Sequence, residues 1–121
     1  MTATKLHFDN QETPHCEQGA TFEFSFNWED SEGTAVDLSF YTAKMQVRKN
    51  YGGPLIIELS TENGRIIIDS NSQVTLFIPA EITQLLPAGK YVYDLKITDT
   101  DLDKIYRLLE GEFFVSPEVT I

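Results

Sequence analysis

Three stretches of the sequence carry residue types capable of chemistry. In "PHCEQ", His15 stands beside Cys16, with His7 upstream, and imidazole next to thiol is the raw material of an activated nucleophile or a metal corner. Adjacent residues of an extended chain point to opposite faces, and a structural zinc site draws four ligands from Cys and His. The chain holds one Cys and two His, so an ordinary N-terminal loop or strand is the expected role. In "DTDLD", Asp99, Asp101 and Asp103 have the D-x-D-x-D spacing that opens a calcium loop, and Glu110 falls at its twelfth position. Lys104, however, occupies the sixth position, where the sharp turn needs glycine, and the flanks read as strands. An exposed acidic hairpin turn is the expected reading. "WEDSEG", with Glu29, Asp30 and Glu32, reads likewise as a solvated hairpin loop with Gly33 as its turn residue. Carboxylate pairs such as Asp94 and Asp99 occur in any acidic chain. With no nucleophile elbow, phosphate-cradling glycine loop or metal-binding helix pair beside them, the sequence predicts a protein that is not an enzyme and uses no metal or cofactor.

Composition narrows the partners. Nine Lys and Arg against nineteen Asp and Glu give a net charge of −10, which repels phosphate backbones; the one basic cluster, Lys44, Arg48 and Lys49, is small. Neither nucleic acid nor membrane is an expected partner. "MTATKLHFDN" lacks an apolar run of signal-peptide length, and no segment reaches the roughly 18 apolar residues of a membrane span. A single cysteine leaves no intrachain disulfide to form. At 121 residues the chain fits one domain that must stand on packing alone.

The elements that position these residues are strands. "TFEFSFNW" sends Phe22, Phe24, Phe26 and Trp28 to one face and Thr21, Glu23, Ser25 and Asn27 to the other. That ladder is expected to pack a core, with a stacking platform for sugars or bases as the alternative. "YTAKMQVR" alternates in the same way, with Tyr41, Ala43, Met45 and Val47 inward. "NYGGP" breaks the pattern and "LIIEL" resumes it. "RIIID" and "QVTLFI" form a hairpin around "SNS", Ile66 and Ile68 facing Val74, Leu76 and Ile78. "PAEITQLLPAG" is the exception, a short helix around residues 79–86, with Pro79 in its first turn and Pro87 and Gly89 ending it. "KYVYDLKI" turns Tyr91, Tyr93, Leu95 and Ile97 inward, and "KIYRLLEGEFFV" is the last long strand.

Seven or more short strands with such punctuation predict an all-β, two-sheet β-sandwich. Gly89, Tyr91 and Tyr93 have the spacing of a tyrosine corner, which makes the sandwich immunoglobulin-like, with Tyr93 where antibody domains place a cysteine. Residues 1–17 are an N-terminal segment, loop or edge strand, and residues 18–121 the single sandwich domain.

From Gln18 to Ile121 the sequence resembles the immunoglobulin-like domain of tailed-bacteriophage structural proteins, including the N-terminal domain of siphophage upper baseplate proteins. The similarity is carried by "QGATFEFSFNWEDSEGTAVDLSFYTAKMQVR", which has a G-x-T-F opening, an acidic glycine turn, a V-D-L-S step and an A-x-x-Q-V-R strand. "LIIELST", "NGRIIID", "LPAGKYVYDL" and "LLEGEFFVSPEVT" follow in the family's order. Phe40 and Ala35 depart from it, at positions where glycine and proline are common, and the chain ends where longer members continue. The resemblance implies a virion component of tail, baseplate or neck, made in the bacterial cytoplasm and present in several copies in a symmetric ring with other virion proteins. It implies no catalytic residue. Candidate contacts are the outward residues Thr42, Lys44, Gln46 and Arg48 and the terminal "SPEVTI". The alternative is a carbohydrate- or receptor-binding module, with Tyr51 beside "GG" stacking on a sugar.

Overall fold

The computed structural model describes residues 3–9, 13–29, 32–69 and 72–121. Two sheets face each other across one core. The larger joins β1 (Thr4–Lys5), β9 (Lys104–Ser116), β8 (Gly89–Asp99), β4 (Tyr41–Arg48) and β5 (Leu55–Ser60) in that order, with β2 (Cys16–Glu17) also on β9. The smaller joins β3 (Phe22–Asn27), β7 (Gln73–Ile78) and β6 (Ile66–Ile68). A β9-β8-β4-β5 sheet over a β3-β7-β6 sheet matches the immunoglobulin arrangement, in which successive hairpins alternate between the two layers. The expected all-β sandwich is the observed one.

Alternation places the core. Along β8, Tyr91, Tyr93, Leu95 and Ile97 are buried, opposite Phe113, Gly111, Leu109 and Tyr106 of β9. On the other flank of β8, Ala43, Met45 and Val47 of β4 bury the same face. The small sheet answers with Phe22, Ile66, Val74, Leu76 and Ile78. Each such large side chain contributes about 1.5–3 kcal/mol of apolar burial. The aromatic ladder points inward as expected, but Phe22 alone is fully buried; Phe24, Phe26 and Trp28 are half-buried against the core. Ile66 and Ile68 of the β6–β7 hairpin pair with Leu76 and Val74, while Ser70 and Asn71 of its turn lie outside the described residues.

The corner at the start of β8 is built as its spacing predicts. The Tyr91 hydroxyl donates to the Pro87 carbonyl at 2.6 Å, tying the strand to the turn before it. Replacing Tyr91 with Phe keeps the ring and removes one buried hydrogen bond, so an expected loss of about 1 kcal/mol is to be read from the urea midpoint at unchanged slope. Tyr93, in the place of the antibody cysteine, spans instead to the N-terminal segment, its hydroxyl donating to the Leu6 carbonyl at 2.6 Å.

That segment runs parallel to β9. Thr4 pairs with Leu109 and Lys5 with Glu110, Phe8 bridges Phe113, and Cys16 pairs with Val115. Phe8 has no exposed surface. The helix α1 is Ala80–Thr83, shorter than 79–86, with Pro79 as its extended N-cap instead of a first-turn residue. The chain tightens directly after it, Leu85 and Leu86 donating three residues back to Ile82 and Thr83, and such a tightened last turn satisfies amides that a longer helix would have bonded.

Candidate functional site

The N-terminal candidates are separated and occupied. Cys16 is buried, and desolvation, with Glu17 nearby, pushes its thiol up to about 12, the opposite of what a thiolate nucleophile requires. His15 is hydrogen-bonded through Nε2 to Ser116 Oγ at 2.9 Å and lies edge-on to Phe114. His7 Nδ1 accepts the Glu112 amide at 3.0 Å. The same nitrogen is 3.9 Å from Glu112 Oε1, but its lone pair is already engaged, so the amide bond is the contact that fixes the ring. Among the described residues no group of three or more His, Cys, Asp or Glu is disposed to hold a metal ion.

The acidic turns resolve into local structure. Asp99 Oδ1 accepts the Asp101 and Leu102 amides at 3.0 and 3.1 Å, closing the β8–β9 turn on itself, and Asp103 takes the left-handed conformation at φ 54°. Glu110 pairs with Asp94, far up the ladder from that turn; six residues of strand correspond to about 20 Å. The twelfth ligand of a calcium loop is therefore elsewhere. Asp94 and Asp99 stand on opposite faces of β8, being an odd number of residues apart. Asp99 is buried across the ladder from Tyr41, whose hydroxyl is pushed up by its own burial first and by Asp99 second. In the loop after β3, Glu29 bridges Ala35 and Gly33 has φ 81°, as a hairpin loop requires; Asp30 lies outside the described residues.

What the structure does gather is charge, on the outward face of the large sheet. Register aligns Lys44 of β4 with Lys96 of β8, and Lys96 with Arg107 of β9, a row of three cations straight across three strands. Arg107 is paired with Asp94 at 3.4 Å and Glu110 at 3.6 Å. Among the described residues Lys44 and Lys96 have no ion pair. The outward positions of these three strands hold five cations, Lys44, Arg48, Lys90, Lys96 and Arg107, against Asp94, Glu110 and Glu112. The rest of the chain holds four cations against sixteen carboxylates. Like charges directly opposite on a ladder destabilise it, by about 0.2–1 kcal/mol. Replacing Lys44 with Glu turns that repulsion into an attraction, so the melting temperature is expected to rise by about 2 °C, measured by calorimetry beside Lys44→Gln.

Of the expected outward set, Thr42 and Lys44 are exposed while Gln46 and Arg48 are half-buried. Arg48 donates to Gln46 Oε1 through Nε and Nη2 and to the Gly53 carbonyl through Nη1 at 2.8 Å, and Gln46 donates to Glu58. The pair therefore braces the β4–β5 turn. Tyr51, at the tip of that turn, is 84% exposed and stands at the rim of a cleft of about 260 Å³ that includes Gln46, Val92, Asp94, Lys96 and Glu110. At the C-terminus, the Glu118 amide donates to Gln18 Oε1 and Val119 and Ile121 are exposed.

The cation row escapes sequence reading because Lys44, Lys96 and Arg107 are brought together by register alone. The visible signal was their place at polar positions of alternating strands. A bulge interrupts the β8–β9 register between Leu95 and Lys96, and its trace in the sequence is the doublet Leu108–Leu109, both buried. No protein-family model and no curated protein matches the chain.

Proposed function

We propose that the protein is a non-enzymatic structural subunit of a tailed-bacteriophage particle, acting in tail, baseplate or neck by protein–protein assembly. The observation that supports this reading is the work done by the residues of the resemblance. In V-D-L-S, Asp37 Oδ1 accepts the Ser39 amide and hydroxyl while Leu38 is buried. In A-x-x-Q-V-R, Ala43 and Val47 pack the core and Gln46 and Arg48 brace the next turn. In L-P-A-G-K-Y, Tyr91 closes the corner. These residues specify a framework, and among the described residues β3 and β6 pair on one side only, so that each presents a sheet edge to neighbouring subunits. Quantitative mass spectrometry of purified particles tests the proposal: the chain is expected at a stoichiometry in multiples of three or six, and its absence from particles overturns the reading.

A second reading rests on Tyr51. An exposed ring at the rim of a cleft lined by two amides, two carboxylates and three cations has the makings of a sugar subsite. A glycan screen with the wild type and Tyr51→Ala separates the two: binding lost in the variant favours the glycan module, and no binding by either removes it.

A further inference from the structure

The cation row has a complement on the same molecule. The β8–β9 turn carries two exposed carboxylates, Asp101 and Asp103, on either side of Leu102, itself 60% exposed. Asp99 holds this tip in shape through the Asp101 and Leu102 amides, so the acid–leucine–acid arrangement is presented as a fixed unit. Beside the row, Ile105 pairs with Thr98 on the outward face and is 65% exposed. Lys44, Lys96 and Ile105 line one shallow groove of about 340 Å³, with Glu62 on its far side as the one carboxylate of the lining. Row and tip thus offer the same two chemistries with opposite charge, an apolar residue beside cations and an apolar residue between anions.

We propose that the row Lys44–Lys96–Arg107 is the docking surface for the β8–β9 turn of a second copy of this chain. The tip cannot fold back onto the row of its own molecule, because both are fixed to the rigid β8–β9 ladder. In a second copy turned about a two-fold axis, each tip reaches the other's row, and one self-complementary patch closes the assembly. Leu102 then lies against Ile105, and Asp101 and Asp103 supply carboxylates to Lys44 and Lys96, which have no ion pair among the described residues. The like-charge alignment of the two lysines, unfavourable in the free chain, becomes favourable once a carboxylate stands over it. The net charge of −10 on each copy opposes approach only weakly at physiological salt, where charges beyond about 8 Å are screened.

The test is sedimentation of the full chain over a concentration series at physiological salt, with two variants. The row variant is Lys44→Glu with Lys96→Glu, which exchanges one like-charged pair for another. The tip variant is Asp101→Lys with Asp103→Asn, Asn being suited to the left-handed position. The wild type is expected to dimerise and each variant alone to associate about tenfold more weakly or worse. An equimolar mixture of the two is expected to recover dimers, since the acidic tip of one faces the basic row of the other and its inverted tip faces an inverted row. A wild type that stays monomeric up to about 1 mM overturns the proposal. So does dimerisation indifferent to either variant, or a mixture that fails to recover. Loss of the row variant from particles while the purified chain stays monomeric would assign the row to a different virion protein and overturn the second copy as occupant. Absence of the chain from particles would leave dimerisation of the purified chain untouched, so this proposal and the virion reading fail separately.

Discussion

Replacing Phe8 with Ala is expected to cost about 3–5 kcal/mol, a large part of the roughly 5–15 kcal/mol that holds a domain together, and to lower the melting temperature by about 10–20 °C. Phe8 has no exposed surface, and its ring meets Phe22 at 5.6 Å, Phe24 at 5.2 Å, Tyr93 at 5.2 Å and Phe113 at 5.7 Å between centroids. The contacts with Phe22 and Phe24 are edge-to-face, an arrangement aromatic quadrupoles favour, and those with Tyr93 and Phe113 are tilted. Phe8 is thus the side chain through which the N-terminal segment closes the core between the sheets. Truncation leaves four rings around a void that strands on either side prevent from collapsing. The comparison is Phe40→Ala, which removes a ring that is 64% exposed and is expected to change stability by no more than about 0.5 kcal/mol. Equal urea midpoints for the two variants would mean that the N-terminal segment does not belong to the cooperative unit.

Phe8 also marks where the sequence stops being legible. Periodicity placed the inward residues of β3, β4, β7 and β8 because each run alternates over six or more positions and buries one face. "KLHFD" offers only Leu6 and Phe8, too little to announce a strand, and its partner lies about a hundred residues away on β9. The same distance hides the completion of the aromatic ladder. Phe22 to Trp28 can be assigned to one face from spacing, but which rings are sealed depends on Phe8, which meets Phe22 and Phe24, and on Tyr41, which meets Trp28. The tyrosine corner was legible because all of its atoms lie within five residues. The helix was legible in kind and overlong in extent, because Pro87 and Gly89 bound where it must stop and do not show where it tightens. The cation row is the extreme case. Each member reads as one more solvated polar residue, and only the register of three strands, one shifted by a bulge, sets them side by side.

The largest effect from the smallest change is expected at Gly111. In β9 it stands opposite Tyr93, and a Cβ there would lie 2.3 Å from the Leu6 carbonyl oxygen, 2.9 Å from the Leu6 carbonyl carbon and 3.1 Å from His7 Nδ1. The obstacle is backbone, and it is tethered. The Leu6 amide donates to the Glu110 carbonyl at 2.9 Å, and the Leu6 carbonyl accepts the Tyr93 hydroxyl at 2.6 Å. Gly111→Ala must therefore lift the N-terminal segment off β9, forfeiting both bonds and disturbing the seat of Phe8, for an expected loss of about 3 kcal/mol or more. Hydrogen exchange locates the damage: the Leu6 and Phe8 amides should lose protection while those of β3 and β7 keep theirs. Gly64→Ala is the control, since Gly64 has φ 79° and open space around it, and left-handed strain alone costs about 1–2 kcal/mol. The two tyrosine–glycine changes should also couple. Tyr93→Phe alone removes a buried hydrogen bond worth about 1 kcal/mol, but in the Gly111→Ala background its partner carbonyl has already moved, so the second change should cost almost nothing. Full additivity would mean that the Leu6 carbonyl stays in place, and that the sheet makes room for a methyl group by another route.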